Sequence, residues 1–188
     1  MSILQPSFEE LAQRYERELY LTCYGILGHR EDAADALQET MLRAWRGFRG
    51  FRGEAQWRTW FHRIAVNTSI DILRKRRPDA SLNVMTEEDG FDPPDARVSV
   101  SGELEASERK RVLREAIAQL EEKDRAMIVL RDVRGMSYEE LASVLRLPLG
   151  TVKSRLKRAR EKLMKLLSAD AELFGRGNVS NSERRNER

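Results

Sequence analysis

The sequence contains one cysteine, two histidines and five prolines among 188 residues, and each scarcity closes off a class of protein. A lone Cys23 cannot form an internal disulfide, and His29 and His62 alone leave a protein-built zinc site short of ligands. Cys23 falls within a helical apolar pattern and reads as a small buried hydrophobe with no redox role. Few prolines and no long alternating runs of β-branched residues argue against a sheet, so the expected fold class is all-α. No stretch approaches the roughly 20 apolar residues of a membrane span, and the amino terminus MSILQPSFEEL lacks a basic region followed by an apolar run. A cytoplasmic protein is expected. There is no Gly-rich phosphate loop, no metal-ligand cluster and no Ser or Cys arranged with His, so neither catalysis nor a metal, a cofactor or a small-molecule substrate is expected.

Charge is abundant, and it is segregated. Charged residues make up 35% of the chain against 40% hydrophobic, with a net charge of only +3. Residues 1–40 hold 8 acidic and 3 basic side chains, and residues 43–77 hold 10 basic and 2 acidic. Residues 79–108 then carry 9 acidic and 1 basic, and residues 146–165 carry 8 basic and 1 acidic. Two basic segments separated by an acidic one point to a polyanionic partner met at two places.

Helical periodicity divides the chain in the same way. Phe8, Leu11, Tyr15, Leu19, Cys23 and Ile26 mark one helix face up to Gly28. A second helix from about Glu31 is expected to bury Ala34, Leu37, Met41, Trp45 and Phe48, leaving Asp32, Asp35, Gln38, Glu39 and Arg46 on other faces. Gly47, Gly50 and Gly53 indicate a loop over 47–55. Trp57, Trp60, Phe61, Ile64, Ala65, Thr68 and Ile72 follow on a third helix that runs into RKRR and stops at Pro78. The first domain therefore spans 1–78. Residues 79–102, with Gly90, Pro93, Pro94 and most of the acidic excess, have the composition of a flexible linker. The second domain, 103–168, opens with a helix lined by Leu113, Ala116, Ile117 and Leu120, then one over 123–133 that buries Met127, Leu130 and Val133. Residues 169–188 read as a disordered tail.

The sharpest local pattern is MSYEELASVLRLPLGTVKSRLKRAREKL at 136–163. Ser137 and Glu140 form a potential capping box for a short helix carrying Leu141, Ala142 and Leu145 inward. A turn at Leu149-Gly150 leads to a second helix that buries Val152, Leu156, Ala159 and Leu163, and the whole reads as a helix-turn-helix. At about 100° per residue, that stripe turns Ser154, Lys157 and Arg158 outward with Lys153 on the flank. Arg and Lys can read guanine edges or neutralise phosphates, and the sequence leaves that division open. Arg155, Arg160 and Lys162 read as phosphate holders.

In this order the segments resemble the extracytoplasmic-function (ECF) sigma factors of the sigma-70 family, which consist of a sigma-2 domain, a linker and a sigma-4 domain. The likeness covers about residues 8–167. DALQETMLRAWRGF at 35–48 is similar to the family's core-binding helix, FRGEAQWRTWFHRIAVNTSIDILRKRR at 51–77 to its promoter-melting and −10-reading segment, and LPLGTVKSRLKRAREKL at 147–163 to its −35 recognition helix. The resemblance implies a non-catalytic alternative sigma factor, typically of stress responses, that binds core RNA polymerase and directs promoter-specific transcription initiation. It implies that Asp35, Gln38 and Glu39 dock on the β′ clamp helices, and that a surface the sequence does not single out meets the β flap. It assigns Phe51, Arg52, Gln56, Arg58, Arg63, Asn67, Arg74 and Arg76 to the melted −10 element, and Thr151, Lys153, Ser154, Arg155, Lys157 and Arg158 to −35 DNA. Phe51 and the loop 53–56 would line a pocket for a flipped base, with Asn67 on its helical wall. An anti-sigma factor is the implied regulator, in some cases holding such a protein at the inner membrane.

Two other readings compete. A conventional helix-turn-helix regulator would bind palindromic duplex DNA by itself as a symmetric dimer. A nucleic-acid enzyme would need a catalytic constellation that is missing. The acidic segment could also shield the basic faces, in which case neutralising Glu87, Glu88, Asp89, Asp92 and Asp95 should raise polymerase-free DNA binding.

Overall fold

The computed structural model describes residues 6–53, 55–76 and 100–169, with 100–108 and 169 as backbone alone. The tail 170–188 and linker residues 79–99, including the acidic side chains just named, lie outside the described residues. Seven α-helices and one π-helical turn make up the fold among the described residues.

α1 (Phe8–Leu27) starts at a capping box: Ser7 Oγ accepts from the Glu10 N–H at 3.2 Å, and the Glu10 carboxylate accepts from the Ser7 N–H at 2.9 Å. It ends at Gly28, whose φ of 76° is open to a residue without a Cβ. Leu11, Leu19, Cys23 and Ile26 are buried as the periodicity implies, and burial raises the Cys23 thiol pKa.

α2 (Arg30–Phe48) sits in a different register from the one expected. Its buried face is Asp32, Ala33, Ala36, Thr40 and Ala44, whereas Ala34 is exposed and Trp45 is 53% exposed. Small side chains let this helix approach α1 and α3 closely, and Leu37, Met41 and Phe48 pack along the margins. The large apolar residues suggested a stripe, but the alanines form the contact.

α3 (Trp57–Arg76) is covered on two sides. Phe61 and Ala65 face the first core with α1 and α2, while Val66 and Ile70 join a second core formed with the later helices. A helix enclosed in this way buries small and polar side chains as well, Thr59, His62, Thr68 and Ser69 among them, so no single apolar stripe marks it.

α4 (Val100–Ala118) begins inside the segment 79–102 read as linker. α5 (Glu122–Ile128) continues into a π-turn, Val129–Val133, in which the Arg134 N–H donates to the Val129 carbonyl at 2.8 Å. The wider turn delays the helical phase, so Val133, expected inside, is 56% exposed. α6 (Tyr138–Leu145) has the expected capping box between Ser137 and Glu140 and buries Leu141 and Val144. The turn lies earlier than expected: Arg146 takes a left-handed conformation, and α7 (Leu149–Ala169) already includes Leu149 and Gly150. Val152, Leu156 and Ala159 seat α7 on the second core, which also takes in Met127, Val129, Leu130 and Leu141, with Leu163 packed against it.

Candidate nucleic-acid interface

The exposed side of α7 is basic. Val152, Leu156 and Ala159 are 0–1% exposed, and Lys153, Ser154, Arg155, Lys157 and Arg158 point away from them into solvent, with Thr151 half-buried at the edge. Lys157 is 3.9 Å from Glu161 but stays 80% exposed, so its charge remains available. Lys153 stands 5.8 Å from the centre of the Tyr138 ring. Arg160 and Lys162, read as phosphate holders, also meet acidic partners within the chain. The Arg160 guanidinium pairs with Asp132, its Nε donating at 3.0 Å, and Lys162 Nζ lies 2.5 Å from Asp124. Both tie α7 to the α5–π segment while staying 44% and 50% exposed.

The −10 candidates separate into two groups. Arg52, Gln56, Asn67 and Arg74 are exposed. Phe51 is half-buried, with its ring 3.9 Å from Trp57 and 5.3 Å from Trp60, so it anchors the loop to α3. Phe61 is fully buried, and Trp57 and Trp60 pack partly exposed against the first core, in agreement with a core role. Glu54 in the loop lies outside the described residues. The remaining arginines already have partners within the chain. Arg76 pairs with the buried Asp32 carboxylate. Arg58 spans Glu18 of α1, at 2.5 Å, and Glu140 of α6, at 2.6 Å, and Arg63 Nη2 donates to the Ser143 carbonyl at 2.8 Å.

Around Arg58 lies a polar cluster that periodicity does not predict, because it joins Glu18 and Thr22 of α1 to Arg58 and His62 of α3, 40 residues further along the chain. His62 is fully buried, its Nε2 is 3.2 Å from Glu18 Oε1 and its Nδ1 is 3.4 Å from Thr22 Oγ1. The His62 imidazole and the Arg58 guanidinium hold the Glu18 carboxyl at about 2, below its usual 4.5, against the opposing effect of burial. Because folding lowers this pKa, the stabilisation is complete above about 4.5 and is lost as pH falls from there towards 2. With Glu18 24% exposed, the loss should be on the order of 2–3 kcal/mol. Thermal melts across that acid range should show a steep limb in the native chain and a flatter one in Glu18→Gln; equal slopes would contradict the assignment.

The candidate polymerase strip lies on the outer face of α2. Asp35 and Gln38 are exposed, and Glu39 is held by Arg43, whose Nε is 2.7 Å from Glu39 and whose Nη1 is 3.0 Å from Asp71. Leu42 and Trp45, 50% and 53% exposed, continue the same face one and two turns further on. Sequence reading placed Trp45 in the core and so missed it as a surface residue. The spacing from Gln38 to Leu42 to Trp45 would have revealed it. Among the described residues no cluster of His, Cys, Asp and Glu could hold a metal ion, and no helix is long and apolar enough to cross a membrane.

Two family models match, Sigma-70 region 2 over residues 11–78 and Sigma-70 region 4 over residues 110–163. The ECF RNA polymerase sigma factor SigW of Bacillus subtilis is 34% identical over 175 residues, covering 87% of this chain and 90% of that protein. Among solved structures, the sigma factor RpoE from Bartonella quintana, in complex with the anti-sigma factor NepR, is 25% identical with a TM-score of 0.64 over 87% of this chain and 98% of that one. CnrH in complex with the cytosolic domain of CnrY is 28% identical with a TM-score of 0.61 over 87% of this chain and 88% of that one. The two regions match in order along one chain, and the chain belongs to the ECF RNA polymerase sigma factors of the sigma-70 family.

Proposed function

We propose that this chain recruits core RNA polymerase through the outer face of α2, reads −35 duplex DNA with α7, and holds the opened −10 strand along the start of α3 and its preceding loop. It does so without catalysis of its own, in the cytoplasm where polymerase works, and an anti-sigma factor of the kind bound to the Bartonella protein holds it in check. The division 1–78, 79–102 and 103–168 belongs to this reading, with the middle segment as tether. The observation that carries it is the two-sidedness of α7: a seated apolar stripe and, opposite, Lys153, Ser154, Arg155, Lys157 and Arg158 all in solvent. That is the geometry of a helix laid in a major groove.

On the −10 side, Arg52, Gln56, Asn67 and Arg74 form the exposed track, and Arg58, Arg63 and Arg76 join it once their present partners are released. On α2, Asp35, Gln38 and Glu39 give orientation, while Leu42 and Trp45 add the apolar contact area that charge alone does not supply. Reconstitution with core polymerase tests the whole reading. Within it, Arg158→Ala should weaken −35 binding by about 1–3 kcal/mol with relaxed preference at one base if the contact is bidentate. If Arg158 holds a phosphate, the salt slope falls by about one and sequence preference stays. No change in either would remove Arg158 from the interface.

A further inference from the structure

A line of polar side chains runs outward from the interior of the first half to Arg58. Thr22 Oγ1 donates to the Glu18 carbonyl at 3.0 Å and lies 3.4 Å from His62 Nδ1. On the other side of the imidazole, Nε2 is 3.2 Å from Glu18 Oε1, and His62 is fully buried, so the ring has little room to turn. Glu18 Oε1 in turn accepts from Arg58 Nε at 2.9 Å and from Nη2 at 2.5 Å. Nη1 is the part of the guanidinium that Glu18 does not take, and the Arg58 side chain is 30% exposed. In the free chain Nη1 meets the Glu140 carboxylate at 2.6 Å, so its position and charge suit an oxyanion. An apolar residue at position 62 would fill the same space at a lower desolvation cost, so stability alone does not account for a buried imidazole facing a carboxylate.

We propose that Glu18 and His62 are positioning residues for the −10 strand: together they hold the Arg58 guanidinium so that Nη1 is presented to a phosphodiester oxygen. This rests on the assignment of Arg58 to opened DNA. Neither Glu18 nor His62 touches the strand. Arginine has a long side chain with many rotamers, and ordering it at the moment of binding costs affinity. A carboxylate that already holds Nε and Nη2 removes that cost. Glu18 would need ordering too if it stood alone on the surface; it is 24% exposed and backed by the buried ring, so the order comes from the core. With Nε and Nη2 engaged by Glu18, a point contact with the backbone suits Nη1 better than a two-pronged reading of a base edge.

The test is a mutant cycle in the holoenzyme, core RNA polymerase with the full chain, on a promoter fragment whose −10 region is mismatched and therefore already open. His62→Leu and His62→Gln are made in the native chain and beside Arg58→Ala, with folding checked by circular dichroism. Arg58→Ala should weaken binding and lower the salt slope by about 0.7, the value for one phosphate of a single strand. His62→Leu should weaken binding about three- to tenfold in the native background, the cost of ordering one rotamer-rich side chain on binding. Beside Arg58→Ala it should do nothing further. Glutamine restores an N–H donor and should recover most of the loss. If His62→Leu does not fold, Thr22→Val, which removes only the hydroxyl facing Nδ1, takes its place in the cycle with the same sign expected. Equal weakening in both backgrounds, none in either, or a glutamine no better than leucine overturns the proposal and leaves the proposed function standing. Arg58→Ala without effect overturns both the proposal and the assignment of Arg58 to the strand. Core-polymerase binding, measured separately, reports on recruitment alone.

Discussion

Phe61→Ala is expected to remove about 3–5 kcal/mol of folding stability, seen as a lower denaturant midpoint at an unchanged slope. Phe61 is fully buried, and its ring meets Phe8, Tyr15 and Trp60 at centroid distances of 6.1, 5.6 and 5.2 Å. Removing it opens a cavity where α1 and α3 cross, and also breaks the aromatic chain that runs through Trp60 to Phe51 and the −10 loop. Small domains have total stabilities of roughly 5–15 kcal/mol, so a loss of this size leaves little margin. A loss under about 1 kcal/mol would mean that the first core is organised around other residues.

Trp45→Ala should behave in the opposite way. Trp45 is 53% exposed and its described ring contact is an edge-on approach to Phe8 at 5.1 Å, so folding stability should change by no more than about 1 kcal/mol. Affinity for core polymerase, however, should fall at least about tenfold, because an exposed tryptophan beside a polar strip is the kind of residue that anchors a protein interface. Titration of labelled chain with core enzyme measures this directly. Unaltered affinity together with a large stability loss would reverse the roles assigned to Trp45 and the alanine face of α2.

That pair of residues also marks where the sequence was legible and where it was not. Helix positions, the Ser137–Glu140 capping box, the glycine stop at Gly28 and the buried stripe of α7 depend on neighbours within four residues, and short-range patterns expose them, although the equivalent box at Ser7 and Glu10 was not picked out. α2 misled because hydrophobicity and burial part company there: Ala33, Ala36 and Ala44 are inside by virtue of their size, while Trp45 is left outside. Val133 was lost to a single π-turn, which no periodicity of 3.6 anticipates. The acidic partners of Arg160 and Lys162 were not legible, since Asp132 and Asp124 lie 28 and 38 residues earlier in the chain. The Glu18–Arg58–His62 cluster and the packing of α3 on the later helices depend on contacts between distant segments, which a single sequence does not pair.

The proposed recognition helix, α7, was legible for a physical reason. Its function requires two incompatible faces on one helix, and that requirement writes a strict alternation into residues 151–163. The segment 51–76, proposed to hold the −10 strand, is subject to no such rule, since α3 also packs into both cores. Its basic residues are therefore distributed among structural and functional partners, and only the three-dimensional contacts distinguish them.

The most direct measurement of the central claim is initiation in a purified system: core RNA polymerase, this chain, and a library of promoter fragments scored by transcript start sites. Start sites should appear only when the chain is added, share two dissimilar upstream elements, and lose dependence on the upstream one when Lys157 and Arg158 are replaced by alanine. Failure to bind core enzyme or to direct any initiation, together with tight polymerase-free binding to a palindromic duplex, would contradict it.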